Sequence, residues 1–468
     1  MSTVNHTIPY VAPPWLTASP QVVSGRLNKP SPEVKASRWE GTFSWPALLW
    51  IGLWFSINTG HWVLRQAPTT IVGWFHVART VFPFFVLFIA GLFLSQWRNR
   101  RLLVLLGPAK LWFVYGVISL LACVSSPSWL AAVYWSGVYL SVFPALLFFL
   151  DERDPLGSIV RLNRINFVCT ALFLLIMLIV ARKALFVGSG FDTSAYGVIG
   201  RASTVAEMPM SRSSGLARFG AVVGIIAFVY LWRRHGWRRL LWVAPFLLST
   251  VFLYTLQSRG AILAYAASIT VLIVAMSFES QRILLIPIVL LLGIITFADR
   301  IPFDRIEKHI ARDASPTKLR TLGGRISTWH KAGPMILDSP AWGWGMQADR
   351  YLLKGEHVHN TYLYTLLTTG ILGTIAFVGG LAWAWLLMFR ALREKILLRS
   401  PLSDSFVYEA MGILTFFTVR SIPEVSGALF GVDYMLMLPV LVYLGLLNRR
   451  NTQYAYMHCA KMQDMLPP

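Results

Sequence analysis

Apolar residues fall along this chain in runs of about 20, the length needed to cross a hydrocarbon core. Twelve runs stand out, at 43–60, 70–96, 103–124, 129–150, 165–186, 215–232, 239–257, 260–278, 283–298, 360–389, 405–420 and 430–447. Two of the breaks between them are long and mostly polar, 187–214 and 299–359. The pattern predicts an all-α polytopic membrane protein of about twelve transmembrane helices with one large loop. Two stretches within that loop, 304–312 and 324–337, read as short helices, so it is expected to be partly helical. Residues 1–42 are polar and Pro-rich and lack a charged-then-apolar leader. They read as a disordered cytoplasmic tail. The expected organisation is therefore a tail over 1–42, helices one to nine over 43–298, the loop over 299–359, helices ten to twelve over 360–447 and a second tail over 448–468.

Composition agrees with that reading. Hydrophobic residues make up 56% of the 468 positions and charged residues 13%, against about 25% charged in a soluble domain. The net charge of +21 would suit a nucleic-acid partner if it were spread evenly, but it is not. Arg98, Arg100 and Arg101; Arg153, Arg161 and Arg164; Arg233, Arg234, Arg238 and Arg239; Arg390, Arg393, Lys395 and Arg399; and Arg449 and Arg450 occupy alternate loops. Basic residues near span ends stay cytoplasmic. Twelve spans with both termini inside place each of these clusters there and exclude a nucleic-acid function. Cys123, Cys169 and Cys459 are too few and too scattered for a disulfide framework or a metal cluster.

The topology puts three notable segments on the outer face. One ends in MPMSRSSGLARFG, the second is the tight turn LQSRGAIL around Arg259, and the third is the long loop, with GGRISTWHKAGPMILDSPAWGWG followed by HVHN. Helices beginning near Ser213, Gly260 and Asn360 all start at that surface, with Ser211, Ser258 and Asn360 as candidate caps. Arg212, Arg259 and His359 stand beside those starts. Helix N-termini and cationic side chains that converge make an anion site. Arg325 and Trp329 are i and i+4 on one helix face, a pairing suited to a phosphate and a sugar ring together.

The ordered set SRG, GGR…W…P…GWG and H-x-H-N-x-Y-L resembles the O-antigen ligase and O-antigen polymerase family, over about residues 205 to 445. The resemblance implies a GT-C-like membrane glycosyltransferase of the bacterial inner membrane that works at the periplasmic face. Its donor would be a glycan on undecaprenyl diphosphate. A ligase would attach the chain to lipid A-core, and a polymerase would join it to a second lipid-linked unit. The family's essential arginines and loop histidine correspond to Arg212, Arg259, Arg325 and His359. The Pro-Asn that often follows the first of these is absent here, where RSSGLARFG carries Arg218 instead.

The expected chemistry is inverting transfer without a metal or other cofactor. Arg259 and Arg325 stabilise the departing diphosphate, and His359 takes the acceptor's proton. Arg212, Arg218, His357, Asn360, Trp329 and Glu424 are expected to bind donor or acceptor, with His357 as the reserve base. An H-x-H pair can hold zinc, but no third ligand follows at suitable spacing. Each residue also has a plainer role open to it. Arg259 can anchor a helix end, Arg325 and Trp329 can be loop charge and packing, and Trp342 and Trp344 can form an interfacial belt. Arg79 can serve a site or brace a buried polar group. Arg420 and Glu424 can pair with each other or meet the acceptor. A transporter or flippase is the alternative from another class.

Overall fold

A computed structural model describes residues 44–57, 60–65, 68–94, 106–152, 154–180, 213–234, 236–256, 258–279, 325–398 and 405–464. They form α1 (Trp45–Phe55), α2 (Ile71–Leu94), α3 (Ala109–Leu121), α4 (Trp129–Leu140), α5 (Val142–Leu150), α6 (Pro155–Val180), α7 (Ser213–Arg233), α8 (Val243–Leu256), α9 (Arg259–Glu279), α10 (Arg325–Asp338), α11 (Ala348–Leu352), α12 (Thr361–Leu398), α13 (Ser405–Arg420) and α14 (Val432–Asp464). No strand occurs among the described residues. Seven stretches are long and apolar enough to cross a membrane: Gly73–Phe93, Trp129–Leu150, Pro155–Ile176, Gly215–Arg233, Arg259–Ser277, Thr361–Arg393 and Val432–Arg450. The expected spans at 43–60, 103–124, 239–257 and 405–420 contain helices of 11, 13, 14 and 16 residues. The span expected at 283–298, the short helix at 304–312, Arg212 and the first tail lie outside the described residues.

Several boundaries differ from the hydropathy reading: α12 runs on to Leu398 and α14 to Asp464, past their apolar runs. The run 129–150 is two helices meeting at Ser141. α6 begins at Pro155, ten residues before its apolar run, because Asp154 caps it: its Oδ1 accepts from Gly157 N–H at 3.1 Å. Proline suits the first helical position. Ser158, Asn163 and Asn166 on this helix are buried with partners. Asn166 accepts from the indoles of Trp50 and Trp54 at 2.7 and 2.8 Å and donates to the Met435 carbonyl at 2.9 Å. Arg79 on α2 braces the end of α1, donating to the carbonyls of Phe55 and Ile57.

The core is aromatic. Trp112 stacks on Phe377 at 4.7 Å and Tyr139 on Tyr434 at 4.1 Å, which joins α3, α4, α12 and α14. α9 packs on α13, and α7 on α8 and α9.

α12 is broken at Gly370, where φ is +60° and ψ −162°. Only glycine takes that backbone freely. The segment after α10 fills the break. Trp344 and Gly345 donate to the carbonyls of Leu367 and Thr368 at 2.9 and 2.8 Å, and Ile371 N–H donates to the Pro340 carbonyl at 2.8 Å. The open turn thus has its backbone groups satisfied by another part of the chain.

Candidate functional site

Asn360 caps α12 as expected. Its Oδ1 accepts from the N–H groups of Tyr362 and Leu363, both at 3.0 Å. Its Nδ2 donates to the Ile422 carbonyl at 3.0 Å, so the same side chain ties the cap to the turn that follows α13. Thr361 adds three bonds to that turn. Its N–H reaches the Ser421 carbonyl at 3.0 Å, and its hydroxyl donates to the Glu424 carbonyl and accepts from Ser426 N–H, both at 2.9 Å. From the other side, the hydroxyls of Tyr115 and Tyr139 hold the carbonyls of Ala428 and Gly427. Glu424 is therefore carried on a backbone fixed from both sides.

The Glu424 carboxylate bridges two of the expected site residues. Oε1 accepts from Arg325 Nη2 at 2.7 Å, and Oε2 lies 2.9 Å from His359 Nδ1. Burial would raise the Glu424 pKa. The His359 hydrogen bond and the guanidiniums of Arg420 and Arg325 outweigh it and hold the carboxyl at about 2. An ionised carboxylate only accepts, so His359 Nδ1 carries the proton and Nε2 keeps a lone pair. Burial also pushes the His359 imidazole below its usual value, with Glu424 pulling the other way. A neutral imidazole with a free Nε2 is the form a general base needs. His359 has φ of +49°, uncommon for a residue with a side chain.

The adjoining HVH stretch is clamped as well. Trp329 donates its indole N–H to the Val358 carbonyl at 2.7 Å. His357 Nδ1 is bonded to Asp349, whose Oδ2 also accepts from Val358 N–H at 3.3 Å. Arg325 and Trp329 do share a face of α10. One reaches Glu424 and the other the backbone beside His359.

The other expected residues fall as follows. Arg259 opens α9 and is exposed. A methyl added at neighbouring Gly260 would lie 3.1 Å from Pro423 Cγ, so this helix start abuts the turn that carries Glu424. Arg218 lies nearby on α7 but is paired with Asp433 at 2.8 Å. Asp433 also takes Arg420, whose guanidinium reaches Ser426 Oγ at 3.3 Å. Arg420 thus pairs with Asp433 and Glu424 with the Arg325–His359 couple, while the Arg420 guanidinium also stabilises the Glu424 carboxylate. Trp344 is turned inward onto the Met335 carbonyl at 2.7 Å, while Trp342 remains 49% exposed. Asp349 and Asp433 are the acidic members of the network that local sequence pattern did not single out. Among the described residues, no three His, Cys, Asp or Glu side chains gather at metal-binding spacing.

Residues 244–378 match the family model described as O-antigen ligase. Arg259, Arg325, Trp329, His357, His359 and Asn360 lie inside the matched stretch; Arg218 and Glu424 lie outside it. The match supports the family that the motifs pointed to. No curated protein matches the chain.

Proposed function

We propose that this O-antigen ligase family chain is a membrane glycosyltransferase that moves a glycan from undecaprenyl diphosphate to lipid A-core. The observation that carries the reading is the Arg325–Glu424–His359 bridge at the capped start of α12. The protein has a GT-C-like architecture of about twelve spans in the bacterial inner membrane. Both tails are cytoplasmic, and the loop 299–359 is periplasmic.

In the reaction, an acceptor hydroxyl gives its proton to His359 Nε2. Its oxygen forms a bond to the anomeric carbon from the face opposite the leaving group. The bond from that carbon to the phosphate oxygen breaks, and the lipid diphosphate leaves with the electron pair. Inversion follows from this geometry. Glu424 holds the imidazole in the accepting tautomer. Arg259 and Arg212 meet the departing charge, with Arg325 turned between Glu424 and the diphosphate. Negative charge on the leaving group needs electrostatic stabilisation more than a proton. The arginines supply it without a metal. His357, Asn360, Trp329 and Arg218 frame the substrates.

A broken helix such as α12 also occurs in transporters, where the open turn lines a substrate path. Here the chain's own residues 340–345 occupy the break, which favours the enzyme.

The test is reconstitution in proteoliposomes with a lipid-diphosphate oligosaccharide and either lipid A-core or a second lipid-linked unit. One addition to lipid A-core, retained in chelator and lost in His359→Ala, is the expected result. A product ladder on the lipid-linked acceptor would make the protein a polymerase. Absence of transfer to both acceptors would overturn the enzyme reading.

A further inference from the structure

Asp349 on α11 is completely buried, at 0% exposure, and the reaction above makes no use of it. Its bonds are concentrated on one oxygen. Oδ2 takes His357 Nδ1 and the Val358 N–H, whereas Oδ1 is buried without a hydrogen-bond partner. Burial would raise its pKa, but His357, Arg350 and the Val358 N–H hold it below the usual carboxylate range. A half-bonded buried carboxylate is costly. The arrangement directs the carboxylate to one imidazole and the backbone beside it.

That imidazole touches the site. The His357 ring meets the His359 ring edge-on at 4.9 Å between centroids and the Tyr364 ring at 5.8 Å. Tyr364 is fully buried on α12, and its hydroxyl accepts from Gln347 N–H at 3.2 Å, two residues before Asp349. α11, the HVH stretch and the first turn of α12 are thereby fastened together through His357. Two imidazole–carboxylate pairs stand side by side, and each is bonded through Nδ1.

We propose that Asp349 is a positioning residue for glycosyl transfer, acting through His357 to hold the His359 ring in its working orientation. This rests on the transfer reading above. Ionised Asp349 fixes the His357 tautomer and ring plane. The His357 ring, packed on the His359 ring, then limits how far that ring can turn away from Glu424.

Asp349→Asn in the full-length protein, in proteoliposomes, tests this. Asparagine keeps the size and offers a donor where the carboxylate accepted. kcat should fall at least tenfold with KM for the donor changed less than twofold, and the acid limb of the pH–rate profile should move. The double variant with His357→Ala should be no slower than His357→Ala alone, because the effect passes through that ring. A folded Asp349→Asn protein with wild-type kcat and pH profile would overturn the proposal, as would additive losses in the double variant. If Asp349→Asn does not fold, His357→Gln gives the second reading. It should show the same kcat loss and displaced limb, and wild-type behaviour there also overturns the proposal. Inactive His359→Ala beside a wild-type-like Asp349→Asn sinks this inference alone. An active His359→Ala sinks the transfer reading beneath it.

Discussion

Glu424 is ionised far below neutrality, and this decides which nitrogen of His359 is available. Glu424→Gln should keep much of the shape but lose the fixed acceptor. We expect kcat to drop about 100-fold, the lower end of what a positioned base contributes, with KM little changed in initial-rate measurements. The pH dependence has a definite sign. The base must be neutral, so activity falls as pH drops through the His359 pKa, below the ordinary ~6.5. Glu424 raises that pKa against the effect of burial. Glu424→Gln should therefore move the acid limb to still lower pH while the plateau falls. Stability follows the carboxylate itself. Its folded pKa of about 2 lies under the unfolded value of ~4.3. Its contribution is present above that unfolded value and lost as pH falls towards the folded one. Thermal midpoints in detergent should decline across this window, and less so in Glu424→Gln. The sequence pattern singled out His359, Arg325 and Glu424 and left Arg420 or the acceptor as the acid's partner; the fold adds Arg325 and His359. α13 ends at Arg420. Glu424 lies in the turn beyond, which the cap of α12 pulls towards itself. Asp433 and Asp349 left no local signal, because their partners are distant in the chain or oriented only by the fold.

At the scale of the element, the start of α12 is where the motif reading succeeded most fully. Asn360 is the cap, and α10 carries Arg325 and Trp329 on one face. Thr361 was not foreseen, although its hydroxyl bonds the turn twice. Thr361→Val should cost about 1–3 kcal/mol, the penalty for unsatisfied buried groups. A double-mutant cycle with Asn360→Ala, read by thermal unfolding, should show coupling, because both hold one turn. The break at Gly370 was not legible either. Its sequence, TTGILG, continues an apolar run, and only the inserted segment after α10 opens it. A side chain at Gly370 would lie 2.3 Å from the Ala341 carbonyl carbon at a φ of +60°. Gly370→Ala should destabilise the protein by more than about 1 kcal/mol, and the loss should appear as a lower thermal midpoint.

For the whole molecule, hydropathy gave the all-helical membrane character because lipid demands long apolar runs. It misplaced the start of α6, where Ser158 and Asn163 are buried with partners, since composition reads those positions as loop. The broken helix also divides α12 into two stretches with different surroundings. From Ile371 to Phe389, before Arg390, there are 19 residues; at about 1.5 Å each they span roughly 29 Å, close to the hydrocarbon thickness of about 30 Å. Ile371, Leu372 and Ile375 are exposed just below the break, whereas Thr365, Leu367, Thr368 and Thr369 above it are buried in protein. The break therefore marks where α12 passes from protein surroundings to an exposed apolar face. A nitroxide at Ile371→Cys should be relaxed by oxygen dissolved in lipid, and one at Glu356→Cys by a water-soluble nickel complex.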